Sequence, residues 1–270
     1  MSQFADKVVV ITGASSGIGL AMARAFAKQG AKLVISARTE GPLLAVASEL
    51  EAAGAQVLAV VGDVQRWDDC QRMATETIAR FGRVDVLVNN AGISMRALFA
   101  DLDLEVIRRL MEVNFFGTVY CTKAFLPSVV AAKGSIVAVS SIAGYRGLPA
   151  RTGYSASKAA VQGFMEALRT ELLDQGVHVL VACPGFTESK IRERALTATA
   201  KPQGQSPLDE GKIMSAEAVA GHIVEAVAHR RRDLILTTQG KMTVWLNKLA
   251  PGLMDRLVLN HFKKEAGSPI

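Results

Sequence analysis

The feature that most restricts what this chain can fold into lies near its amino terminus. Lys7-Val8-Val9-Val10-Ile11 is a short β-branched run without polar alternation, the pattern of a strand buried on both faces of a parallel sheet. Thr12-Gly13-Ala14-Ser15-Ser16-Gly17-Ile18-Gly19 follows at once, and an alanine-rich helical segment then runs to Gly30. Glycines at a strand-to-helix junction let the backbone approach a pyrophosphate, whose charge the free N–H groups of the first helical turn attract. Gly13, Ser15, Ser16, Gly17, Ile18 and Gly19 are therefore candidate dinucleotide contacts. Their G-x-x-x-G-x-G spacing is not that of the better-known G-x-G-x-x-G fingerprint, and a tight turn alone also explains glycines.

The same alternation continues. The second expected strand, 32–36, ends in Ala37-Arg38-Thr39. An NAD site usually places an acid there for the ribose 2′-hydroxyl, whereas an arginine suits a 2′-phosphate, so Arg38 favours NADP(H) over NAD(H). A helix over about 43–53 leads to a strand over 56–61 and to Gly62-Asp63-Val64. Asp63 is placed to accept from an adenine amino group, or to cap its own turn. A helix over 67–81 and a strand over 85–88 close in Asn89-Asn90-Ala91-Gly92, small and amide residues that suit a turn lying against a ligand.

Farther along, Tyr154 and Lys158 stand four apart, on one face if Tyr154 opens the helix expected over about 153–173. A free phenol titrates near 10, and a neighbouring cation lowers that value toward general acid–base use. Val161, Phe164, Leu168 and Leu172 form that helix's apolar stripe. Segment 102–131 reads as one helix in which Asn114, a mediocre helix former, needs a reason. Ser141 ends a strand over 134–141, and a strand over 177–183 runs into Pro184-Gly185-Phe186-Thr187. The long irregular segment 188–214 is expected to be functional. Ser215 caps a further helix to about 229, and 233–237 supplies a seventh strand.

The glycine turn, Asp63-Val64, Asn89-Asn90-Ala91-Gly92, Asn114, Ser141, Tyr154 with Lys158, and Pro184-Gly185 together resemble, in order and spacing, the short-chain dehydrogenase/reductase family. The likeness runs from about Lys7 to Leu236. It implies a doubly wound Rossmann fold, a seven-stranded parallel sheet with helices on both faces, over residues 1–240, with a substrate lid at about 188–214 and a helical extension over 241–270. It implies catalytic roles for Asn114, Ser141, Tyr154 and Lys158. In this family the asparagine holds a proton-relay water, the serine holds a carbonyl oxygen, and the lysine also bonds the nicotinamide ribose. Asn90, Ala91, Gly92, Pro184, Gly185 and Thr187 would line the cofactor. Thr187 stands two places before the family's usual threonine, where this chain has Ser189. The 90–95 segment, the Ser141 region and the 249–253 tail resemble the branch of acylglycerone-phosphate and hydroxysteroid reductases, which implies a lipid-like ketone. The expected activity is NADPH-dependent carbonyl reduction. An NAD-linked alcohol dehydrogenase and a non-catalytic NADPH-binding module are the alternatives.

Composition trims the remaining possibilities. The 270 residues carry a net charge of +6 spread along the chain, which argues against nucleic acid. Cys70, Cys121 and Cys183 have no metal-ligand spacing, so no metal is expected, and the reading is a cytoplasmic homo-dimer or homo-tetramer. Met95, Leu98, Leu148, Phe186 and Ile191, with Arg96, Arg146, Arg151, Arg192 and Arg194, are expected near the substrate. After Gly240, Met242, Trp245, Leu246 and Leu249 have helical spacing, Pro251-Gly252 interrupts it, and Leu253, Leu257, Val258 and Phe262 resume it among basic residues. That tail could pack on the domain or a second subunit, touch a membrane surface, or edge an apolar pocket.

Overall fold

A computed structural model describes residues 3–206, 213–265 and 267–269. The amino-terminal run becomes β1 (Val8–Thr12), buried along its whole length. It joins β2 (Lys32–Ala37), β3 (Val57–Val61), β4 (Val86–Asn89), β5 (Ser135–Val139), β6 (His178–Cys183) and β7 (Asp233–Ile235). The seven strands are ordered β3-β2-β1-β4-β5-β6-β7, and every pair is parallel. The order reverses between β1 and β4, so a crevice opens outside their carboxyl ends, and the glycine turn sits in it.

Helices cover both faces, as alternating strand and helix signals require. On one face lie α1 (Gly17–Ala27), α2 (Glu40–Ala52) and, later in the chain, α7 (Ala216–Ala228); Phe26, Leu43 and Val224 pack there with Ile11 and Ile35. On the other lie α3 (Trp67–Phe81), α5 (Gly117–Ala131) and α6 (Thr152–Glu171), where Met73, Phe125 and Met165 pack with Val10 and Leu87. Val161, Leu168 and Leu172 are buried in this second core, so the stripe packs within the chain.

The expected long helix over 102–131 is helical without a break from Leu104 to Ala131, but it is not α-helical throughout. It divides into α4 (Leu104–Leu110), a π-helical turn over Met111–Phe116, and α5. The widened turn carries Asn114, the residue whose helix propensity was poor. The seventh strand stops short of Thr237, which adopts a left-handed backbone (φ 68°) and caps the next helix by accepting from the Gly240 N–H.

The described part of the 188–214 segment is irregular but pinned. Arg96 N–H donates to the Leu196 carbonyl and Leu196 N–H to that of Ser94, both at 2.9 Å. Positions 207–212 of the expected lid lie outside the described residues. The chain then ends in α8 (Thr238–Leu249) and α9 (Pro251–Lys263), with Pro251 in α9's first turn, where its missing N–H costs nothing. Met254, Val258 and Phe262 pack with Leu148, Phe186 and Leu246. Among the described residues no helix is long and apolar enough to cross a membrane.

Candidate active site

Two cavities share the crevice. The first, of about 400 Å³, is lined by the glycine turn, Arg38, Asp63 and the Asn90-Ala91-Gly92 turn. Thr12 holds its floor together: its hydroxyl donates to the Val88 carbonyl and accepts from the N–H groups of Asn90 and Ala91, each at 3.0 Å. Asn90 donates back to the Thr12 and Gly13 carbonyls. Gly13 has φ +65°, and a Cβ there would stand 2.8 Å from Ala91 Cα; one on Gly19 would run into the Gly13 carbonyl. These glycines are required by close backbone approach. Ser16, the N-cap of α1, makes no side-chain cap bond, and the first turn carries no acid. The first-turn N–H groups are thus left for an anion, so the cleft suits the phosphate-bearing part of a dinucleotide.

Arg38 is exposed on this cleft and forms no ion pair with Glu40 or any other described carboxylate. Asp63 lines the cleft, but its carboxylate accepts from the backbone and side chain of Gln65, which is the turn-capping role. Val64 lies beneath Gly117, where a Cβ would stand 2.6 Å from Val64 Cγ2.

The second cavity, of about 580 Å³, is mostly apolar and has Ser141, Tyr154 and Lys158 in its wall. Tyr154 and Lys158 project from the first two turns of α6, as their spacing requires. Lys158 Nζ donates to the Val139 carbonyl at 2.8 Å and lies 5.8 Å from the centre of the Tyr154 ring. Ser140 is buried and donates to the Lys158 carbonyl, whereas Ser141 caps a short turn by accepting from Ala143 N–H. Asn114 stands behind this wall. Its amide donates to the Ile93 carbonyl (3.0 Å) and Ser157 Oγ (2.9 Å), and its Oδ1 accepts from Ile93 N–H (2.8 Å). Clamping both backbone groups of Ile93 fixes the turn that carries Gly92, and a Cβ on Gly92 would lie 3.4 Å from Lys158 Nζ.

The electrostatics correct one expectation. Burial pushes the Tyr154 phenol above its usual value, while hydrogen bonding with Ser141 and the charges of Arg151 and Arg192 pull it down without cancelling that rise. Lys158 spends its ammonium on Val139 rather than on the phenol, and burial lowers its own pKa to about 8. Tyr154 is thus held as a neutral phenol, with its proton in place.

Leu148, Phe186, Ile191, Arg151 and Arg192 reach the second cavity as expected. Met95 is instead fully buried in a small core with Leu196, Arg194 lines the first cleft, and Arg146 ties the tail down through Asn247 and Asp255. Leu98 lines neither cavity. Pro184, Gly185 and Thr187 line the second cavity, but the Thr187 hydroxyl bonds back to the Gly185 carbonyl at 3.2 Å. Ser189 borders both cavities, and a Cβ on Gly17 would stand 3.3 Å from its Cβ. Of the alternatives for the tail, the structure shows two together: it packs on the domain, and Leu246, Met254, Val258 and Phe262 line the second cavity. A residue the sequence did not single out braces this wall from behind. Glu265, its side chain 5% exposed, pairs with Arg151 (3.0 Å) and Arg96 (3.4 Å), while Arg151 lies over the Phe262 ring. Only its position after an amphipathic helix hinted at it.

The family model described as short chain dehydrogenase matches residues 7–199. Mouse dehydrogenase/reductase SDR family member 7B is 39% identical over 269 residues, covering 97% of this chain and 83% of that protein. The uncharacterized oxidoreductase YxnA of Bacillus subtilis is 36% identical over 262 residues, covering 96% and 73%. Among solved structures, a short-chain dehydrogenase/reductase from Burkholderia phymatum in complex with NAD superimposes with a TM-score of 0.84 at 29% identity, covering 94% of this chain and 96% of that one. An alcohol dehydrogenase from Thermococcus sibiricus complexed with 5-hydroxy-NADP gives 0.74 at 29% identity, over 85% and 95%.

Proposed function

Since this chain belongs to the short-chain dehydrogenase/reductase family and is an oxidoreductase of the NAD(P)-dependent kind, we propose that it reduces an apolar ketone to an alcohol with NADPH. The observation that carries the proposal is the convergence of Ser141, Tyr154 and Lys158 on the wall where the glycine cleft meets an apolar cavity. A bound nicotinamide would supply the hydride. Tyr154 would give its proton from Oη to the developing alkoxide, the role that a buried neutral phenol suits. Ser141 would hold the carbonyl oxygen. Lys158, beside Gly92, would bond the ribose, and Asn114 would keep that turn in register.

The first cleft would hold the dinucleotide with its pyrophosphate at the α1 terminus and Asp63-Val64 near the adenine. Arg38, at the end of β2 with no acid beside it in Ala37 or Thr39, supports the choice of NADPH. Both hydroxyls bond within their own turns, but Ser189, which borders both cavities, accepts from the Ile191 N–H and so keeps its proton to donate to the cofactor, whereas Thr187 donates to the Gly185 carbonyl. The apolar walls support a lipid-like substrate, consistent with a tail that closes over it as part of one catalytic unit. A homo-oligomer in the cytoplasm completes the proposal.

The test is oxidation of NADPH and NADH with a panel of apolar ketones and diketones, for this protein and for Tyr154→Phe. Turnover with NADPH should fall by roughly 10²- to 10⁴-fold in the variant, the contribution of one positioned proton donor, with NADPH binding retained. Equal turnover in both proteins would remove Tyr154 from the chemistry. Tight NADPH binding without turnover of any ketone would favour a binding module.

A further inference from the structure

The tail has a second apolar side that the core does not use. Met242, Trp245 and Leu249 on α8 are 65%, 69% and 74% exposed, and Leu253 and Leu257 on α9 are 52% and 46% exposed. Spacings of three and four put the first three on one face of α8 and the last two on one face of α9. The opposite faces hold Val244, Met254, Val258 and Phe262, which are buried. An amphipathic helix accounts for one apolar side; these helices carry two.

Two further observations say what covers the outer side. First, Met242 and Leu257 are exposed and also line the substrate cavity, so the cavity opens through this apolar face. Second, Lys241, Lys248, Arg256, Lys263 and Lys264 are all exposed around it, and among the described residues none has a carboxylate within ion-pair distance. The acids of the tail are spent: Asp255 pairs with Arg146, and Glu265 with Arg96 and Arg151. An apolar centre with a cationic rim is the complement of a lipid surface with anionic headgroups. A second copy would bring the same cations face to face across a two-fold axis.

We propose that the outer face of α8 and α9 docks on a bilayer bearing anionic headgroups, with the mouth of the cavity opening into it. The helices lie on the membrane and do not span it. Trp245, an amphipathic ring at the edge of the apolar face, sits at headgroup level. An apolar substrate would pass from lipid to Tyr154 without crossing water. Docking itself stands apart from the reductase reading, because it needs no turnover.

The experiment uses the full chain with Trp67→Phe, which leaves Trp245 as the only tryptophan of the two. Co-sedimentation is measured with vesicles of phosphatidylcholine alone and with about 30% phosphatidylserine, and Trp245 emission is followed on the same samples. The expected result is binding at least roughly tenfold stronger to the anionic vesicles, weakened by salt, with a blue shift of Trp245. Leu249→Glu and Leu253→Glu, both at exposed positions outside the cavity lining, should abolish binding with unchanged thermal unfolding. No sedimentation with either vesicle overturns the proposal, as does binding that survives both glutamates. A dimer that Leu249→Glu dissociates, without vesicle binding, overturns it in favour of a second copy.

Discussion

The glycine cleft and the apolar cavity meet at Asn90, Gly92 and Ser189, yet they are built on different principles. The cleft is made of backbone: Gly13, Gly19, the Thr12 hydroxyl and the Asn90 amide bring β1, α1 and the end of β4 into contact through groups close to one another in the sheet. The cavity is made of side chains from four distant stretches: the turn after β5, the start of α6, the turn after β6, and the tail. A wall of backbone N–H groups suits one fixed ligand part. A wall of leucine, methionine and phenylalanine can be changed residue by residue, and must be tied together by something else.

That tie is the ion cluster at Glu265, and removing it gives the largest expected difference between the two regions. Arg151 and Glu265 are both almost fully enclosed, so Glu265→Ala leaves a buried guanidinium without its counter-ion. We expect a loss of about 3–5 kcal/mol in denaturant unfolding. KM for the ketone should rise while NADPH affinity changes little, since no part of the tail touches the glycine cleft. Glu265→Gln should keep one acceptor oxygen for Arg151 but lose the bond from Arg96 and the charge. Because Arg151 is among the charges pulling the Tyr154 phenol down, the basic limb of its pH–rate profile should move to lower pH. A milder loss than about 1 kcal/mol for the alanine variant, or an equal effect on NADPH, would mean the two regions are not separately held.

Lys158 stands where they meet, and its burial should appear as a pH dependence of stability. Its folded value of about 8 lies below the ordinary 10.5. Between those two values the unfolded chain carries the extra proton, so stability of the cofactor-free protein rises with pH across that window. The gain is at most about 3 kcal/mol, 1.36 kcal/mol for each unit of the difference. Tyr154, Cys183 and Cys121 work the opposite way: burial raises the Tyr154 phenol and takes the Cys183 thiol from 9 to about 12, and the bond with Cys70 together with burial raises Cys121, so the stability they give is lost above about 9 for the thiols and about 10 for the phenol. The rise should therefore be clearest between pH 8 and about 9 in urea unfolding, and absent in Lys158→Met. A flat profile in the native protein would mean that water or a shifted side chain solvates the ammonium.

The difference between the regions also explains what could be read from sequence. A strand, glycine turn and helix are adjacent in the chain, so local pattern sufficed for the cleft, and parallel pairing followed from the repeated alternation. Tyr154 and Lys158 were visible because a helix fixes their spacing. The π turn at Asn114 was not, because it is stabilised by Ile93, twenty-one positions away. The direction of the Tyr154 shift was misread for the same reason: the spacing revealed the neighbouring cation but not the walls that desolvate the phenol, nor the Val139 carbonyl that takes the ammonium. Glu265 lies 114 positions from Arg151, beyond any periodicity, and the sequence could not show that Thr187 donates, and Ser189 accepts, a bond within its own turn.

The smallest expected effect sharpens the comparison from the cleft side. Arg38 is exposed and makes no ion pair with a described carboxylate, so removing it should cost the fold almost nothing. What it should change is discrimination. Charge-assisted bonds to a 2′-phosphate are lost in Arg38→Ala, so Kd for NADPH should rise roughly ten- to a hundredfold. NADH, which offers a hydroxyl there, should bind as before, and thermal unfolding without cofactor should be unchanged. Fluorescence titration with both dinucleotides reads the ratio directly. Equal weakening of both would mean that Arg38 supports the cleft rather than choosing its ligand, and that the cleft, like the cavity, depends on side chains after all.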